Sequence, residues 1–311
     1  MSHRAHLPQL DGGLFLTDAG LETDLIFNKG MELPEFAAFD LLKDEQGTQV
    51  LRDYYVPYLE TAREKGAGFV LESPTWRANP DWAQKIGHDV AELDALNRRA
   101  IELLEGLRSE YEGSVGPIVI SGCVGPQDDG YNPGKVLDAD AAQDYHSTQV
   151  TTFDRTEADM VTAITMTYVS EAIGVARAAA GVGIPSAISF TVETDGRLPS
   201  GQPLGEAIEE VDAATRAAPA YYMINCAHPT HFETVLDGPG AWRDRVHGLR
   251  ANASTMSHAE LDEAEELDDG DPADLAERYA ALKDGLPELN VLGGCCGTDH
   301  RHVAAIAERW G

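Results

Sequence analysis

The stretch NVLGGCCGTDH, residues 290–300, contains the pattern that decides the fold of this chain. A short apolar run at 290–292 leads into glycines and two adjacent cysteines, and helical spacing of apolar residues then extends over 299–310. A buried strand followed by a tight turn and a helix is the repeating unit of a parallel sheet. The unusual residues of this stretch therefore come directly after a predicted strand.

The same unit recurs along the whole chain. Apolar runs rich in β-branched residues occupy 14–17, 68–72, 117–121, 159–164, 186–191, 221–225, 246–250 and 290–292. Helical spacing predicts helices over 48–65, 90–110, 139–156, 169–180, 204–218, 272–283 and 299–310. Strands and helices in alternation indicate a parallel sheet with crossover helices, and about eight such units close a barrel. We predict an α/β fold, a (β/α)8 TIM-type barrel, as a single domain over residues 1–311.

An open, doubly wound sheet is the alternative fold. That architecture is typically marked by a glycine-rich phosphate loop after its first strand. Here the sequence after Leu16 reads TDAGLET, which is not a dinucleotide-binding fingerprint. The barrel is therefore favoured, and it predicts that functional residues lie on the loops after the strands.

The charge of the chain limits the classes of partner. Lys and Arg number 23 against 53 Asp and Glu, a net charge of −30, whereas nucleic acids and anionic membranes require basic patches. The sequence has no apolar run of about 18 residues and begins without the apolar core of a signal peptide. We expect a cytoplasmic protein with small-molecule partners, no nucleic acid and no membrane, and a homodimer stays an open option.

Three of the four cysteines follow predicted strands and form the candidate site. Cys226 follows the sixth run, and Cys295 and Cys296 follow the eighth, so their thiols can converge at one barrel mouth although 69 positions separate them in sequence (295 − 226). Zinc favours thiolate ligands, and a catalytic zinc keeps three protein ligands and one open position. The alternative is that the pair is buried packing or a vicinal disulfide. We predict one Zn²⁺ bound by the three thiols, with Cys123 as a packed or pocket-wall residue. An outer position of His228 beside the metal is a less favoured option.

A zinc ion held by three thiolates is suited to sulfur chemistry. The site is a poor Lewis acid for splitting water, but it can hold a fourth thiol as a thiolate near neutral pH. A free thiol with a pKa of about 8.5 is only a few per cent ionised at pH 7. The site thus predicts methyl transfer from a sulfonium or ammonium donor to a thiol acceptor. A non-catalytic zinc-thiolate sensor is the alternative from another class.

With these residues the chain resembles the homocysteine S-methyltransferase family, whose members are zinc-dependent (β/α)8 barrels. The motifs GGCCGT at 293–298 and INC at 224–226 match the metal-binding motifs of that family. The likeness covers nearly the whole chain, through DAGLET at 18–23, GP at 125–126, ISFT at 188–191 and NA at 252–253. It implies conversion of homocysteine to methionine, with Cys226, Cys295 and Cys296 as the zinc ligands.

The resemblance also implies which residues surround the substrate. Asp18 and Gly20 would line the homocysteine site, Asn225 and Asn252 would lie at its mouth, and Ser189 would line the wall. Each of these has a simpler alternative as a turn, cap or loop residue.

One departure from the family pattern concerns the substrate's amino group. Family members carry Glu-Thr at the end of the fourth strand, where the glutamate holds that group, but here isoleucine occupies the position, as Ile164. An ammonium without a counter-charge in a closed pocket would cost several kcal/mol. Either Glu72 or Glu193 takes over the role, or the acceptor is a different thiol or selenol. Trp76, close to Glu72, could line a pocket for a cationic methyl donor.

Overall fold

The structure, a computed structural model, describes residues 2–238 and 240–310. Eight parallel strands form a closed barrel in chain order, and β8 pairs with β1. The strands are β1 Phe15–Leu16, β2 Gly68–Glu72, β3 Ile118–Val124, β4 Met160–Met166, β5 Ser186–Phe190, β6 Tyr221–Asn225, β7 Val246–Ala251 and β8 Val291–Gly294. The predicted barrel is confirmed, and closure of the sheet excludes the open doubly wound alternative.

Helices separate the strands and pack around the barrel. The α-helices are α1 Leu21–Thr23, α2 Glu45–Lys65, α3 Pro80–Lys85, α4 Val90–Tyr111, α5 Ala139–Asp154, α6 Val169–Val182, α7 Leu204–Thr215, α8 Pro229–Phe232, α9 His258–Asp262, α10 Pro272–Ala281 and α11 His300–Trp310. All seven helices predicted from periodicity are present, with ends that differ by at most three residues. Each of the described helices is too short or too polar to cross a membrane.

Short helices fill several of the connections. A π-helix continues α1, and 3-10 helices occupy Pro8–Asp11, Pro34–Phe36, Ala38–Lys43, Glu233–Asp237, Ala241–Arg245 and Leu282–Asp284. Such short turns carry no long period, so the pattern of apolar residues could not predict them.

The strands are apolar because the barrel buries both of their faces. All seven residues of β3 and all seven of β4 are buried, as expected for parallel strands covered by helices. Both strands extend past the predicted apolar runs. Cys123 therefore lies within β3, and Ile164 and Thr165 lie within β4 at an irregularity of the pairing with β5.

Side chains close the barrel at the amino ends of its strands. Phe15, Met160 and Tyr221 belong to a buried cluster there, and Gln9 from the first 3-10 helix donates to the Tyr221 hydroxyl at 3.4 Å. The interior is thus a packed core at this end. A cavity opens at the opposite end, where the strands finish and the cysteines lie.

Candidate active site

The three predicted cysteines meet at the carboxyl end of the barrel. The Sγ atom of Cys226 lies 3.1 Å from that of Cys295 and 3.6 Å from that of Cys296, and all three sulfurs lie within 4.8 Å of one another. All three line a cavity of about 180 Å³. The predicted convergence of strands six and eight therefore occurs.

The backbone turns sharply at each thiol. Cys226 has a φ of 55°, which is strained for a residue with a side chain, and Gly297 supplies the turn after the cysteine pair with a φ of 78°. Gly20 packs directly on this loop, since a Cβ atom there would lie 2.5 Å from the carbonyl oxygen of Cys295. Gly20 lines the cavity as expected, and its missing side chain is what permits this close approach.

The donor set fits a tetrahedral thiolate metal such as zinc. A Zn–S distance of about 2.3 Å implies sulfur atoms about 3.8 Å apart. The Cys226–Cys296 separation of 3.6 Å is close to this value, and the Cys226–Cys295 separation of 3.1 Å is shorter. Hydrogen bonds from Cys226 and Cys296 hold the pKa of the Cys295 thiol well below its usual value, and the Arg250 guanidinium acts in the same direction. The same contacts raise the pKa of the Cys226 thiol, so the negative charge of the cluster is concentrated on Cys295.

Tyr131 and His258 complete the surroundings of the thiols, and sequence reasoning missed both. The Tyr131 hydroxyl lies 3.5 Å from the Cys226 sulfur and 3.6 Å from the Cys296 sulfur. The ring of His258 stacks on Tyr131 with centroids 4.1 Å apart, and its Nε2 lies 2.8 Å from the carbonyl oxygen of Cys226. Tyr131 comes from the long loop after β3 and His258 from the start of α9, after the loop that follows β7, so no strand-end pattern marked them.

A buried ion pair forms the floor of the cavity. Arg250, on β7, lies 3.0 Å from Asp18, and it also donates to the carbonyl oxygens of Gly294 and Ala19. The hydroxyl of Tyr54 donates to Asp18 at 3.1 Å. Burial raises the pKa of the Asp18 carboxyl, although Arg250 opposes the shift. Asp18 lines the cavity as expected, and its partner Arg250 was not predicted.

Two glutamates supply carboxyl groups to the cavity. Glu72, at the end of β2, is 3% exposed, and neither carboxylate oxygen has a hydrogen-bond partner among the described residues. Burial raises its pKa to about 7 against the opposing effect of Arg250. Burial likewise raises the pKa of Glu22 to about 7. Both groups line the cavity and can change protonation near neutral pH.

Ser189, expected in the wall, and Asn225, expected at the mouth, both lie behind the cavity surface. Asn225 is fully buried, and its Oδ1 accepts hydrogen bonds from the Ser189 hydroxyl at 2.6 Å and from the Thr165 amide at 3.0 Å. Its Nδ2 donates to the Thr165 hydroxyl and lies 4.0 Å from the Cys295 sulfur. Asn225 and Ser189 therefore tie β4, β5 and β6 together and position Thr165, whose φ is 66°.

The remaining expected neighbours of the site also lie off the cavity wall. Glu193 lies 3.1 Å from the Nδ1 atom of His258, so it supports the residue stacked on Tyr131. Asn252 is 1% exposed, and its backbone N–H donates to the carbonyl oxygen of Ala227. Neither residue lines the cavity in this structure, and a role of either beside a bound substrate stays a prediction.

His228 caps a helix in this structure, in line with the less favoured status of a metal-neighbour role. Its Nδ1 lies 2.8 Å from the Thr230 hydroxyl and caps the start of α8. The imidazole thus serves the helix that follows Cys226, which explains its position two residues after a thiol.

The cavity wall combines apolar and aromatic groups. Ile164, in place of the glutamate expected there, lines the cavity together with Trp76 and Cys123. The indole Nε1 of Trp76 donates to the carbonyl of Ile164 at 3.4 Å. Cys123 is buried in the wall, as predicted. Substitution of the acid on β4 therefore leaves an uncharged wall on that side.

Comparison of the sequence with models of protein families shows the family of this chain. A model of the homocysteine S-methyltransferase family matches residues 15–310. The chain belongs to this family. It is a methyltransferase, and the homocysteine S-methyltransferase resemblance drawn from the sequence is confirmed.

Solved structures share the fold of this family member. The homocysteine methyltransferase MmuM from Escherichia coli matches in its metallated form with 20% identity and a TM-score of 0.74, over 96% of each chain. Its oxidised form matches with 20% identity and a TM-score of 0.73, over 95% of this chain and 96% of that one. A comparison with curated proteins found no match. At this identity the likeness concerns the fold.

Proposed function

We propose that this protein is a zinc-dependent S-methyltransferase that moves a methyl group from a sulfonium or ammonium donor to a thiol. Homocysteine is the proposed acceptor and methionine the product. The observation that carries the proposal is the meeting of three thiols within 4.8 Å in the cavity at the carboxyl end of the barrel. The metallated form of the MmuM enzyme supports a metal in this family. Family membership favours catalysis over a sensor.

The cysteine cluster would activate the acceptor, and the residues of the cavity wall would surround the bound substrates. Zinc held by Cys226, Cys295 and Cys296 would keep the acceptor sulfur ionised near neutral pH. The acceptor sulfur attacks the methyl carbon in line, forming an S–CH₃ bond as the bond to the donor's positive sulfur or nitrogen breaks. That electron pair returns to the donor, which leaves as a neutral thioether or amine. Trp76 and Tyr131 line the same cavity as the thiols and would contact the bound substrates.

Glu72 is the proposed binding group for the acceptor's ammonium. It lies in the cavity, it is buried, and both of its oxygens lack hydrogen-bond partners within residues 2–238 and 240–310. A buried carboxylate gains most from an opposite charge that satisfies its oxygens. Glu72 on β2 thereby compensates for Ile164 on β4. Glu22, with the same raised pKa, is the competing acid.

The preference for an acceptor with an ammonium group should increase with pH through about 7. Burial raises the pKa of Glu72 to about 7, so the carboxyl is largely neutral below this pH and becomes an ammonium-binding carboxylate above it. We would measure kcat/KM for homocysteine divided by kcat/KM for 4-mercaptobutanoate, which lacks the amino group, so that thiol ionisation cancels. The ratio should rise about tenfold between roughly pH 6 and pH 8 and then level off.

Two variants test this assignment. Glu72→Gln should lower the ratio of kcat/KM for homocysteine to kcat/KM for 4-mercaptobutanoate at pH 8, and it should remove the pH dependence of this ratio. The matched variant Glu22→Gln should keep the wild-type ratio at pH 8 and its pH dependence. A slope that disappears only in Glu22→Gln would move the role to that acid. An unchanged slope in both variants would show that neither carboxyl binds the ammonium.

A thiol without an amino group is the second candidate acceptor. The observation that favours it is Ile164, which replaces a charged wall residue with an apolar one. In that case the wild-type ratio of homocysteine to 4-mercaptobutanoate would stay at or below one at every pH.

The decisive test of the function is product analysis. Reduced, zinc-loaded protein is incubated with homocysteine or 4-mercaptobutanoate and with S-methylmethionine, S-adenosylmethionine or glycine betaine in turn. Mass spectrometry should detect a methyl thioether and the demethylated donor in equal amounts. Absence of thioether in every combination, with zinc retained and released on oxidation, would favour the sensor.

A further inference from the structure

Arg77 is a buried cation in the cavity wall that uses few of its hydrogen-bond donors. It is 8% exposed and lines the same cavity as the cysteines. Its Nη2 atom lies 3.2 Å from Asp129. Its Nε and Nη1 atoms have no hydrogen-bond partner anywhere in the part of the chain that the structure describes. Unsatisfied donors on a buried charge are costly, so this arrangement needs an explanation.

Stacking holds the guanidinium in place without using its in-plane donors. The Cζ atom of Arg77 lies 3.5 Å from the ring centroid of Trp82 and 4.6 Å from that of Trp76. A guanidinium stacked on an aromatic face keeps its N–H groups free at the edge of its plane. The side chain is therefore positioned before any ligand arrives.

Backbone amides hold Asp129 in place, and its carboxylate does not bond the Nε and Nη1 atoms of Arg77. Its Oδ1 accepts hydrogen bonds from the amides of Tyr131 at 2.8 Å and Asn132 at 3.3 Å, while Oδ2 faces Arg77. The carboxylate is thus held by the turn that also carries the hydroxyl beside the thiols. It pairs with one edge of the guanidinium only.

We propose that Arg77 binds the carboxylate of a substrate through the terminal edge of its guanidinium, with the unpaired Nη1–H and the Nη2–H that does not contact Asp129, in the wall of the catalytic cavity. Two neighbouring donors in one plane match the two oxygens of a carboxylate. The inference rests on the proposed methyl transfer for the identity of the ligand. Both the amino-acid thiol and the cationic carboxylates named as donors carry this group.

The test measures binding with and without the carboxylate. For the acceptor, homocysteine is compared with 3-aminopropane-1-thiol, which lacks only the carboxylate. For the donor, S-methylmethionine is compared with (3-aminopropyl)dimethylsulfonium. Binding to reduced, metal-loaded protein is followed by calorimetry and by the fluorescence of the tryptophans beside Arg77, so no turnover is required. We expect wild-type protein to prefer the carboxylate form of one pair by about tenfold or more.

Three variants separate recognition from folding. Arg77→Gln should bring the ratio within that pair close to one, and Arg77→Lys, which keeps the charge without the planar fork, should give an intermediate ratio. The matched control is Lys85→Gln, because the Lys85 ammonium lies 3.5 Å from the centroid of the same Trp82 ring but is exposed and lies off the cavity wall. It should keep the wild-type ratio.

Each outcome decides the proposal. Loss of the preference in the acceptor pair assigns Arg77 to the thiol substrate, and loss in the donor pair assigns it to the methyl donor. The proposal is overturned if wild-type protein prefers neither carboxylate, or if Arg77→Lys and Arg77→Gln keep the wild-type preference. Carboxylate binding that depends on Arg77 without any methyl product would overturn the proposed function and leave this inference standing.

Discussion

Replacement of Cys295 by alanine should remove bound metal and methyl transfer together. The substitution leaves two sulfurs where a tetrahedral catalytic zinc needs three protein ligands, and it removes the thiol whose pKa the cluster lowers. Loss of a direct ligand should exceed the roughly 10–100-fold effects typical of changes in the outer contacts of a metal site. Zinc per chain is measured by atomic spectroscopy after dialysis, alongside the rate of thioether formation.

Cys123→Ala is the matched control for that experiment. Cys123 is also a buried cysteine in the wall of the cavity but lies outside the cluster of three sulfurs. It should retain one zinc per chain and most of the activity. A Cys295→Ala protein that has lost zinc but keeps its rate would contradict the mechanism. Retention of zinc at full occupancy would contradict the ligand assignment.

Replacement of Arg250 by methionine should destabilise the fold by about 3–5 kcal/mol, because it leaves the buried Asp18 carboxyl without its cation. It also leaves the carbonyl oxygens of Gly294 and Ala19 without a donor, at the junction of β1, β7 and β8. Methionine fills a similar volume, so the loss reflects charge and hydrogen bonding more than packing. Urea unfolding of the reduced protein gives the free energy of unfolding.

Arg278→Met is the surface counterpart of that variant. Arg278 pairs with Asp274 one helical turn away, in a setting where water screens both charges, so its loss should cost about 0.5 kcal/mol or less. Adding Asp18→Asn to Arg250→Met should recover part of the stability by removing the unpaired charge. A cost for Arg250→Met as small as that for Arg278→Met would mean that the buried pair does not stabilise the barrel mouth.

The barrel and its thiol cluster could be predicted from sequence because both depend on local pattern plus topology. Apolar runs alternate with helical spacing, and parallel strands joined by right-handed crossovers have few ways to arrange eight units. In any such barrel the ends of β6 and β8 face one mouth, so Cys226 and Cys295 had to approach each other once the fold was known.

Residues on long loops could not be assigned to the site in this way. Tyr131 reaches the thiols from the loop after β3, and His258, at the start of α9, stacks on it. The paths of these connections depend on what they pack against, and no period in the sequence encodes them. The contact of Glu193 with His258 has the same cause and could not be read from the sequence. Arg250 was within a predicted strand, but a strand position alone does not say which buried acid it will pair with.

By itself, then, the sequence determined the strand order, the barrel and the meeting of three sulfurs, because short-range periodicity and the handedness of β–α–β connections constrain them. Only the tertiary structure decided which polar and charged side chains face the cavity. Ser189 and Asn225 lie behind the wall, while Glu72 and Arg77 reach its surface. The direction of each side chain at a strand end depends on its contacts with neighbouring strands and loops, and those contacts are distant in sequence.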